Sequence, residues 1–310
     1  MTPRCTTIIV NWNTRDLLRA CLQSLPRDSA TGILVIDNAS SDGSADMMRR
    51  HFPQLRLLAN EENIGFARAC NIGIREAETE FILLLNSDCR VAQTGLFQRA
   101  LDDFDQDPQL AILGPRLLYP DGRVQSAGRL FLTAGRVFRD QVLFRASPFF
   151  SRGPQQLEPE AGAKPYPVDW VSGAALFARR EALDKIGLLR ESYVMYAEDM
   201  ELCYRARRMG FGVACDPALE IIHHKSRSTR QDLARSLRYS VRNNSLFIKE
   251  RQGGRQALSA LVCYFFGTAL RGCLAPFRRN APAAEWFKLL VKIPAIALEV
   301  MSEHGSETVE

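Results

Sequence analysis

The chain has 310 residues, of which 46% are hydrophobic and 24% are charged. These proportions are typical of a folded globular protein and exclude a largely disordered chain. The length allows one large hydrophobic core, or one core with a smaller additional region. The formal net charge of +5 is too small to identify an acidic partner without regard to where the basic residues lie.

The eight cysteines are scattered, and none forms a Cys-x-x-Cys pair, which argues against a zinc finger. Isolated cysteines in a chain of this length indicate small buried thiols in a reducing compartment. The N-terminal stretch MTPRCTTIIVNWN lacks the long apolar segment of a secretory signal. We therefore expect a protein on the cytoplasmic side of the membrane.

The first part of the chain alternates between short apolar segments and segments with helical spacing of apolar residues. The pattern predicts strands over residues 6–10, 32–37, 55–59 and 81–85, and helices over 14–25, 44–52, 65–77 and 95–104. Continuously apolar strands that alternate with helices predict an α/β fold with a parallel sheet covered on both faces.

Polar side chains follow three of these strands. The strand FILLL runs into Asn86-Ser87-Asp88, and the other two ends read Asn11-Trp12-Asn13 and Asp37-Asn38. Ligands of such sheets bind outside the carboxyl ends of the strands. We therefore expect a ligand site there, although Asp88 is also a common residue at the start of a turn.

The pattern is weaker over residues 115–168, which are rich in Pro, Gly, Arg and Phe. Long irregular segments are usually functional loops, lids or disordered stretches. Regular structure is predicted again as a strand and a helix over 169–183, and as a helix over 196–210 that Gly210 stops. Residues 212–224 predict one or two short strands.

The C-terminal region is basic. Between Arg235 and Lys292 there are eleven Lys or Arg residues and two acids. This region contains ALSALVCYFFGTAL (257–270), which is shorter than the ~20 residues that a membrane-spanning helix needs. The segment predicts either a helix lying in the membrane interface or a helical hairpin packed on the protein with its basic face in water. We therefore expect two regions, 1–228 and 229–310.

Seven stretches, in this order, resemble the family 2 glycosyltransferases, and in particular their bacterial rhamnosyltransferase-like branch. They are VNWNTRDLLRACLQSL, VIDNASSDGS, NIGFARACNIGI, LLLNSDCR, YPDGRVQSAG, VSGAALFARREAL and YAEDMELCYRARRMGF, and they cover roughly residues 5–225. The resemblance implies the GT-A fold, which is a Rossmann-like mixed sheet flanked by helices, here followed by a C-terminal helical extension. It also implies inverting transfer of a sugar from a nucleotide-sugar donor.

The resemblance places the donor at the polar strand ends and in the loops beside them. The implied donor-binding residues are Asn11, Trp12, Asn13, Asp37, Asn63, Gly65, Asn71, Asn86 and Asp88. Asp37 would accept a hydrogen bond from the nucleotide base, and Trp12 would stack against the base. Asp37 also begins a sequence that is typical of a turn and a helix cap, so both functions are open to it.

A divalent cation is implied as cofactor, because a leaving diphosphate concentrates negative charge that Mg²⁺ or Mn²⁺ neutralises. Asp88 matches the last aspartate of the family's D-x-D motif, while Asn86 stands at its first position. The pattern His-x-x-small-x-Ser favours His223 over His224 as a second ligand. Lys225 and Arg227 stand where the family often has a glycine-rich stretch, and a histidine here is also compatible with a plain core position.

The resemblance assigns the chemistry to Glu198-Asp199. Asp199 would be the base that takes the proton from the acceptor hydroxyl, and Glu198 would help to position the acceptor. Acidic residues at a helix N-terminus also complement its dipole, so a structural explanation is available. Trp170 and Gly173 would border the acceptor sugar, unless Trp170 is a core residue.

The predicted activity is transfer of a sugar, with rhamnose as the candidate from the family resemblance, from a UDP- or dTDP-sugar to a lipid-linked or polysaccharide acceptor in surface glycan synthesis. Peripheral contact with the inner face of the cell membrane is expected through the basic region. A nucleotidyltransferase on a similar sandwich would need a glycine-rich signature after the first strand, and TIIVNWNTRDLL has none. A non-catalytic basic module that binds nucleic acid is the other alternative, but interleaved aromatic platforms are lacking, so no nucleic-acid partner is expected.

Overall fold

The structure is a computed structural model that describes residues 3–26, 31–126, 128–143, 156–157, 164–224, 233–274 and 283–303. The described residues form two compact units. The first unit comprises the described residues of 1–130, 156–194 and 198–228. The second unit comprises the described residues of 131–155, 195–197 and 229–310. The sequence-based division into 1–228 and 229–310 stays a prediction, and the described residues from 131 to 143 belong with the C-terminal helices.

The first unit contains all the strands that the structure describes. They are β1 (Cys5–Asn11), β2 (Thr31–Asp37), β3 (Arg56–Ala59), β4 (Phe81–Asn86), β5 (Cys89–Val91), β6 (Leu110–Leu118), β7 (Val124–Ser126), β8 (Gly128–Arg129), β9 (Gln156–Leu157), β10 (Tyr166–Pro167), β11 (Ala175–Arg179) and β12 (Gly212–His223).

The helices are distributed over both units. Those of the first unit are α1 (Arg15–Ser24), α2 (Ser44–His51), α3 (Phe66–Glu76), α4 (Leu96–Gln106), α6 (Arg180–Ile186) and α7 (Glu198–Arg208), and those of the second are α5 (Ala134–Phe138), α8 (Leu233–Gln252), α9 (Gly254–Leu274) and α10 (Ala283–Ser302). A π-helical turn, Arg139–Leu143, follows α5.

One half of the main sheet is parallel, as the alternation of strands and helices predicts. The strands lie side by side in the order β3-β2-β1-β4, and each pairs with its neighbour in parallel. All five apolar residues of β4, Phe81–Leu85, are buried. Burying each large side chain of this kind contributes about 1.5–3 kcal/mol, and Phe81 also stacks on Phe104 of α4 with ring centroids 4.8 Å apart.

The other half of the sheet is mixed. β11 pairs antiparallel with β4 and β6, and β12 pairs parallel with β6. β5 and β10 pair antiparallel with β12, and β7 pairs antiparallel with β6. Residues 212–224 therefore hold one twelve-residue strand, β12, which has register shifts instead of a break.

The prediction of an irregular segment from 115 to 168 is wrong in part. β6 extends to Leu118, and β7, β8 and α5 follow it within the described residues. Pro115 and Gly114 interrupt the apolar run of β6 and conceal a strand whose first five residues are buried. Residues 144–155 and 158–163 of this segment lie outside the described residues.

The second unit is built around the helices α8, α9 and α10. Arg242 of α8 donates to Glu299 of α10 at 2.6 Å, and Lys249 of α8 donates to the carbonyl of Val300 at 2.9 Å. α9 has 21 residues and extends beyond the apolar run 257–270 at both ends. The run alone was judged too short to span a membrane. Among the described residues, α9 is the helix whose length and composition would allow a crossing, and 39% of its most apolar stretch is buried inside the protein.

Candidate functional site

The polar strand ends meet at one edge of the sheet, which we call the carboxyl edge. The strand register pairs Asn11 with Asp37 and Val10 with Asn86. Because β11 runs against β4, its first residues lie at this edge, and the end of β12 with His223 reaches the same edge. The order of strands reverses at β1, and a crevice for ligands is expected at such a point.

A chain of hydrogen bonds runs along the carboxyl edge from Asp37 to Ser87. Asn11 Nδ2 donates to Asp37 Oδ2 at 2.8 Å, and Thr14 Oγ1 donates to Asn11 Oδ1 at 2.7 Å. Ser87 Oγ lies 2.7 Å from Thr14 Oγ1. The single hydrogen of the Thr14 hydroxyl goes to Asn11, so Ser87 is the donor of this bond. All four side chains are buried, and a fully paired buried network fixes their orientations.

Thr14 stands at the N-cap position of α1, where a hydroxyl usually accepts a bond from the first helical turn. Its side chain makes no such bond. Asp42 takes over this function, because its Oδ2 accepts from the backbone N–H of Arg15 at 2.7 Å. The hydroxyl of Thr14 is therefore free to join the chain between Asp37 and Ser87.

The loop after β2 closes over Asn13. Asp37 Oδ1 accepts from the backbone N–H of Ser40 at 2.9 Å, and Ser40 Oγ accepts from the backbone N–H of Asn13 at 2.9 Å. Asn13 and Ala39 have φ angles of 52° and 61°. Residues other than glycine adopt such angles at a cost of order 1–3 kcal/mol, usually at functional sites. Asp37 therefore anchors its turn and still has oxygen lone pairs for a ligand.

Asn63 and Gly65 surround Asn38, a buried residue that we did not include among the candidates. Asn38 Nδ2 donates to Asn63 Oδ1 at 3.0 Å and to the carbonyl of Gly65 at 3.2 Å, and Asn60 Nδ2 donates to Asn38 Oδ1 at 3.0 Å. Gly65 has a φ of 87°, and a Cβ atom there would lie 2.8 Å from Val194. These bonds set the shape of the loop, and the contact of Asn63 and Gly65 with a donor stays a prediction.

The side chain of Asn71 is held by hydrogen bonds within the first unit. Its amide is buried in α3, accepts from the backbone N–H of Leu189 at 3.1 Å, and donates to the carbonyl of Leu189 at 2.8 Å. A further bond from Nδ2 reaches Glu191 at 3.1 Å. Asn71 thus fastens the segment after α6 to α3, and its contact with a donor stays a prediction.

Trp12 and Asn86 are partly exposed at the carboxyl edge. Trp12 directly follows β1, where an indole ring can reach a planar ligand. Asn86 ends β4 and donates its backbone N–H to the carbonyl of Ala174 at 2.9 Å. Their side chains remain candidates for the donor contacts that the sequence predicts.

Asp88 and His223 face each other across the ends of β4 and β12. Asp88 Oδ1 lies 3.2 Å from His223 Nε2, and both side chains are about nine-tenths buried. Gln125 holds the other side of the ring, since its Nε2 donates to the carbonyl of His223 at 3.0 Å and its Oε1 lies 2.6 Å from His223 Nδ1. His224 contributes only its backbone here, with its N–H donating to the carbonyl of Asp88 at 2.9 Å.

The bonds of Gln125 decide how His223 carries its proton. The carbonyl of His223 needs a donor, so the amide nitrogen of Gln125 must face it, and the amide oxygen must then accept from Nδ1–H. Nε2 consequently presents either a second hydrogen or a lone pair to Asp88. A lone pair opposite a carboxylate is the arrangement of a cation site, with Gln125 orienting the ring from behind. Asp88 and His223 therefore fit a divalent cation.

Cys89 is the third group near this site whose side chain could bind a metal, with the three candidate ligand atoms within 4.8 Å of one another. Its thiol donates to the carbonyl of Ala174 at 3.3 Å. Burial raises the pKa of the Cys89 thiol well above its ordinary value, which keeps the sulfur protonated. Mg²⁺ and Mn²⁺ prefer oxygen and nitrogen ligands, so Cys89 does not fit as a ligand for them.

Glu198, which is buried, and Asp199, which is partly exposed, begin α7 as an acidic pair with unequal surroundings. Asp199 Oδ2 accepts from the backbone N–H of Gly173 at 2.7 Å, and Oδ1 accepts from the backbone N–H of Met200 at 2.7 Å. In Glu198, Oε2 is buried without a hydrogen-bond partner. Helix capping therefore accounts for part of the environment of Asp199 and for none of the burial of Glu198.

The surroundings affect the pKa values of the two carboxyl groups differently. Burial raises the pKa of Glu198 well above its ordinary value, and the neighbouring charge of Asp199 raises it further. Burial also raises the pKa of Asp199, but its two backbone bonds and the cation of Arg129 oppose that rise. Of the two groups, Glu198 therefore favours the protonated form, and Asp199 more readily carries the negative charge.

Gly173 and Ala174 connect Asp199 to the Asp88 side of the edge. The N–H of Gly173 donates to Asp199, while the carbonyl of Ala174 accepts from Asn86 and from Cys89. A Cβ atom on residue 173 would lie 3.3 Å from the Cβ of Asp199, so glycine permits this close approach. The carboxylates of Asp37, Asp88 and Asp199 therefore belong to one connected stretch of the carboxyl edge.

Arg129 was not among the predicted residues. Its guanidinium lies over the ring of Trp170, with 4.8 Å from Cζ to the ring centroid. The two residues also pair through their backbones, Arg129 N donating to Trp170 O at 3.0 Å. Trp170 is 8% exposed and donates from Nε1 to the carbonyl of Leu130 at 3.0 Å. Trp170 is therefore largely buried and supports Arg129, and its predicted stacking on an acceptor sugar stays a prediction.

The backbone just before Glu198 is strained. Tyr196 and Ala197 have φ angles of 71° and 68°. Within the second unit, the amide of Asn243 donates to the carbonyls of Met195 and Tyr196 at 2.8 and 3.2 Å. Two consecutive left-handed residues that are not glycine persist only where surrounding bonds hold them, and such strain concentrates at functional sites.

Four side chains around the site were not among the predicted site residues: Thr14, Asn38, Gln125 and Arg129. Each lies in, or directly after, a stretch that we quoted for the family resemblance. The motif VNWNT contains Thr14, and YPDGRVQSAG contains Gln125 and is followed by Arg129. The motifs could have pointed to these residues. Within each motif, however, no local pattern distinguishes their side chains, which come together only in the folded protein.

Residues 6–187 match the model of the family Glycosyl transferase family 2. The chain is similar to the N-acetylglucosaminyl-diphospho-decaprenol L-rhamnosyltransferase of Mycobacterium tuberculosis, with 29% identity over 249 residues, or 74% of this chain and 78% of that protein. It is also similar to the low-salt glycan biosynthesis hexosyltransferase Agl10 of Haloferax volcanii, with 26% identity over 252 residues, or 78% and 76% of the two chains.

Among solved structures, the chain resembles the mannosyltransferase PcManGT from Pyrobaculum calidifontis in complex with GDP-Man and Mn²⁺. The TM-score is 0.54 at 16% identity, over 97% of this chain and 88% of that chain. This likeness concerns the fold, and it confirms the predicted GT-A architecture with its mixed sheet and C-terminal helices.

Proposed function

The chain belongs to glycosyl transferase family 2 and is a glycosyltransferase, and from this premise we propose an inverting, metal-dependent enzyme. Its donor is a UDP- or dTDP-activated sugar, with rhamnose as the first candidate. Its acceptor is a lipid-linked or polysaccharide glycan of the cell surface, and the protein works at the inner face of the cell membrane. The observation that supports this most is the connection of Asp37, Asp88 and Asp199 along one carboxyl edge.

The nucleotide lies at the Asp37 end of the edge. Asp37 Oδ2 is held by Asn11, and Oδ1 by the backbone of Ser40, so the carboxylate is oriented before any ligand arrives. A base N–H then meets an acceptor that needs no reorganisation, and Trp12 offers a flat apolar surface for the ring. Asn13 frames the same loop through its bond to Ser41 at 2.7 Å.

The cation lies at the other end of the edge. Asp88 and His223 would hold Mg²⁺ or Mn²⁺, and the bound ion would neutralise the charge of the leaving diphosphate. Gln125 keeps Nε2 of His223 directed at Asp88. The mannosyltransferase structure named above contains Mn²⁺, which supports a cation in this fold.

Asp199 acts as the base. Its hydrogen bonds to the backbone of Gly173 and Met200 stabilise the charged form, and the cation of Arg129 does the same. The proton of an acceptor hydroxyl passes to this carboxylate while the hydroxyl oxygen attacks the anomeric carbon from the side opposite the diphosphate. Glu198 favours its neutral form and therefore does not compete as the base.

A lipid-linked acceptor is supported by the name of the mycobacterial relative, which describes transfer to an N-acetylglucosaminyl-diphospho-decaprenol. That relationship is at 29% identity, so the sugar and the lipid are proposals for this chain. Contact of the basic C-terminal region with the membrane would bring the site close to such an acceptor.

A donor panel tests the proposal. The purified chain is incubated with Mn²⁺, with Mg²⁺ or with EDTA, together with dTDP-rhamnose, UDP-glucose, UDP-N-acetylglucosamine or GDP-mannose and an N-acetylglucosaminyl-diphospho-polyprenol. We expect metal-dependent release of nucleoside diphosphate from a dTDP- or UDP-sugar, and inversion at the anomeric carbon of the product by NMR. Release of pyrophosphate, full activity in EDTA or a retained anomeric configuration would contradict the proposal.

A further inference from the structure

Large apolar side chains are exposed mainly on two helices of the second unit. Among the residues that the structure describes, ten large hydrophobic side chains are exposed, and eight of them lie on α9 and α10. Single exposed apolar residues are normal on a protein surface, but a concentration of this kind marks an interaction surface.

The exposed residues lie on one side of each helix. On α9 they are Leu258, Val262, Phe265 and Phe266, and on α10 they are Phe287, Val291, Leu298 and Met301. The spacing on α9 is i, i+4, i+7 and i+8, which places four side chains in one stripe. On α10 the spacing is i, i+4, i+11 and i+14, which again follows one side of a helix. We call these eight residues the outer face.

The opposite sides of the same helices form the interior of the bundle. On α10 the buried residues include Leu289, Ile293 and Ile296. On α9 the hydroxyl of Tyr264 accepts from Asn244 of α8 at 3.2 Å. The helices therefore have a packed side. Most of the outer face lies away from it, although Phe287 and Met301 also lie close to Gly272 and Gly254 of α9.

Basic residues accompany the outer face, and exposed acids do not. Arg255 on α9 and Lys288 and Lys292 on α10 are exposed. Among the side chains of α9 and α10 that the structure describes, none of the exposed ones is acidic. Glu299 of α10 is bound by Arg238 at 2.9 Å and by Arg242 at 2.6 Å, so its charge is already paired within the bundle.

We propose that the outer face docks on an anionic lipid bilayer, with α9 and α10 lying in the plane of the interface. Apolar side chains would enter the boundary between head groups and acyl chains, and the basic residues would lie against the phosphates. A protein partner with an apolar surface would not require basic residues around the stripe. A crossing by α9 would have to detach its packed side from the bundle, because 39% of its most apolar stretch is buried.

The inference deepens the proposed function, since it rests on the proposal of a membrane-bound acceptor, but it is tested without donor or acceptor. The full chain is mixed with vesicles of phosphatidylcholine alone or with 30% phosphatidylglycerol, and the bound fraction is measured by flotation. We expect binding to the anionic vesicles that falls with added salt, and release of the protein by alkaline carbonate.

Two sets of variants locate the contact. The triple change Phe266→Ser, Val291→Ser and Leu298→Ser is expected to lower vesicle affinity at least about tenfold, since three exposed apolar side chains no longer enter the lipid. Met209→Ser is the matched control, because Met209 is 48% exposed on the first unit, and it should change nothing. Arg255→Glu with Lys292→Glu should lower affinity by about fivefold or more for each charge, while Arg50→Glu, an exposed arginine of α2, should not.

Three results would overturn the proposal: unchanged vesicle binding by the triple variant, equal binding to neutral vesicles, or resistance to carbonate extraction. A concentration-dependent dimer that the triple variant abolishes would also overturn it, by assigning the outer face to a second copy of the chain. Release of nucleoside diphosphate with a water-soluble acceptor should remain at the unmodified level in the triple variant. If the triple variant loses vesicle binding but keeps transfer, the proposed function is unaffected. If the unmodified chain binds vesicles but transfers no sugar, the lipid contact is unaffected.

Discussion

Two acidic pairs in the first unit, each with one buried member, make an instructive comparison. Glu198 and Asp199 lie at the carboxyl edge, whereas Asp103 of α4 and Asp216 of β12 lie away from it. In both pairs burial raises the pKa of at least one carboxyl group, and for Asp103 the value is about 7, with the charge of Asp216 adding to the effect of burial. A perturbed pKa alone would mark both pairs as candidate sites.

The pairs differ in what surrounds them. Asp216 is fully buried, accepts from Arg99 Nε at 2.5 Å and accepts from the backbone N–H of Ala218 at 2.9 Å. These bonds hold α4 against β12. Asp199 instead is linked through Gly173 to the strand ends around Asp88. Position at the carboxyl edge therefore distinguishes the pair that we propose to be catalytic from the pair that joins α4 to β12.

The strongest test of this difference is replacement of one acid in each pair by its amide. Asp199→Asn removes the base, so we expect kcat to fall by about 10²–10⁴-fold while the affinity for donor nucleotide is retained. Asp103→Asn is the matched control and should keep kcat within about twofold. Steady-state release of nucleoside diphosphate and calorimetric titration with UDP or dTDP measure the two quantities. Near-full turnover by Asp199→Asn would remove that residue from the mechanism.

A second test addresses the cation end of the edge. Asp88→Ala leaves His223 without its carboxylate partner, and we expect Mn²⁺-dependent donor affinity to fall by about 10–100-fold. Affinity in EDTA should be the same for the variant and the unmodified chain. Calorimetric titrations with and without Mn²⁺ provide the comparison, and an unchanged response to Mn²⁺ would place the cation elsewhere.

Arg129 allows a smaller and more specific test. Its cation lowers the pKa of Asp199 against the effect of burial. Arg129→Met therefore raises that pKa, and the acidic limb of the kcat/KM profile should move to higher pH. At alkaline pH, where Asp199 is ionised in either case, the activity of the variant should approach that of the unmodified chain. A uniform loss at every pH would mean that Arg129 acts on structure instead of on the charge of Asp199.

The smallest expected effect concerns stability. Asp103 has a pKa of about 7 in the folded state, against an ordinary value of 3.8. Between these two pH values the folded chain keeps a proton on Asp103 that the unfolded chain has lost. Stability should consequently fall as the pH rises from about 4 to about 7. Asp103→Asn should remove this loss, so that its Tm exceeds that of the unmodified chain at pH 8 and approaches it at pH 4. Parallel Tm curves over this range would show that the raised pKa does not affect folding.

The sequence predicts the parallel half of the sheet well, because the alternation of β1–β4 with helices is a local pattern. It also predicts which strand ends carry polar groups, since Asp37 and Asp88 directly follow apolar runs. The role of Thr14 was beyond reach, because a threonine before a helix is normally a cap. β6 was concealed by Gly114 and Pro115, and its pairing with β11 and β12 depends on distant segments.

The candidate site was predicted as a set of separate motifs and not as an arrangement. The family resemblance supplied Asp199, and no feature of the local sequence distinguishes this acid from Asp103. The contacts of Arg129 with Trp170 and of Gln125 with His223 join residues 41 and 98 positions apart, and no local pattern reveals such pairs. The position of Arg129 over Trp170 could not be foreseen for the same reason, and the stacking of Trp170 on an acceptor sugar stays a prediction.

The chain of hydrogen bonds from Ser87 to Asp37 has a direction. Ser87 donates to Thr14, Thr14 to Asn11 and Asn11 to Asp37, so every proton points toward Asp37. Hydrogen bonds in series polarise one another, and electron density is thereby shifted back toward the hydroxyl oxygen of Ser87. Ser87 directly precedes Asp88 in the chain. Through this chain of hydrogen bonds, the carboxylate of Asp37 makes the Ser87 oxygen more negative. A positive charge near Ser87 would be stabilised as a result.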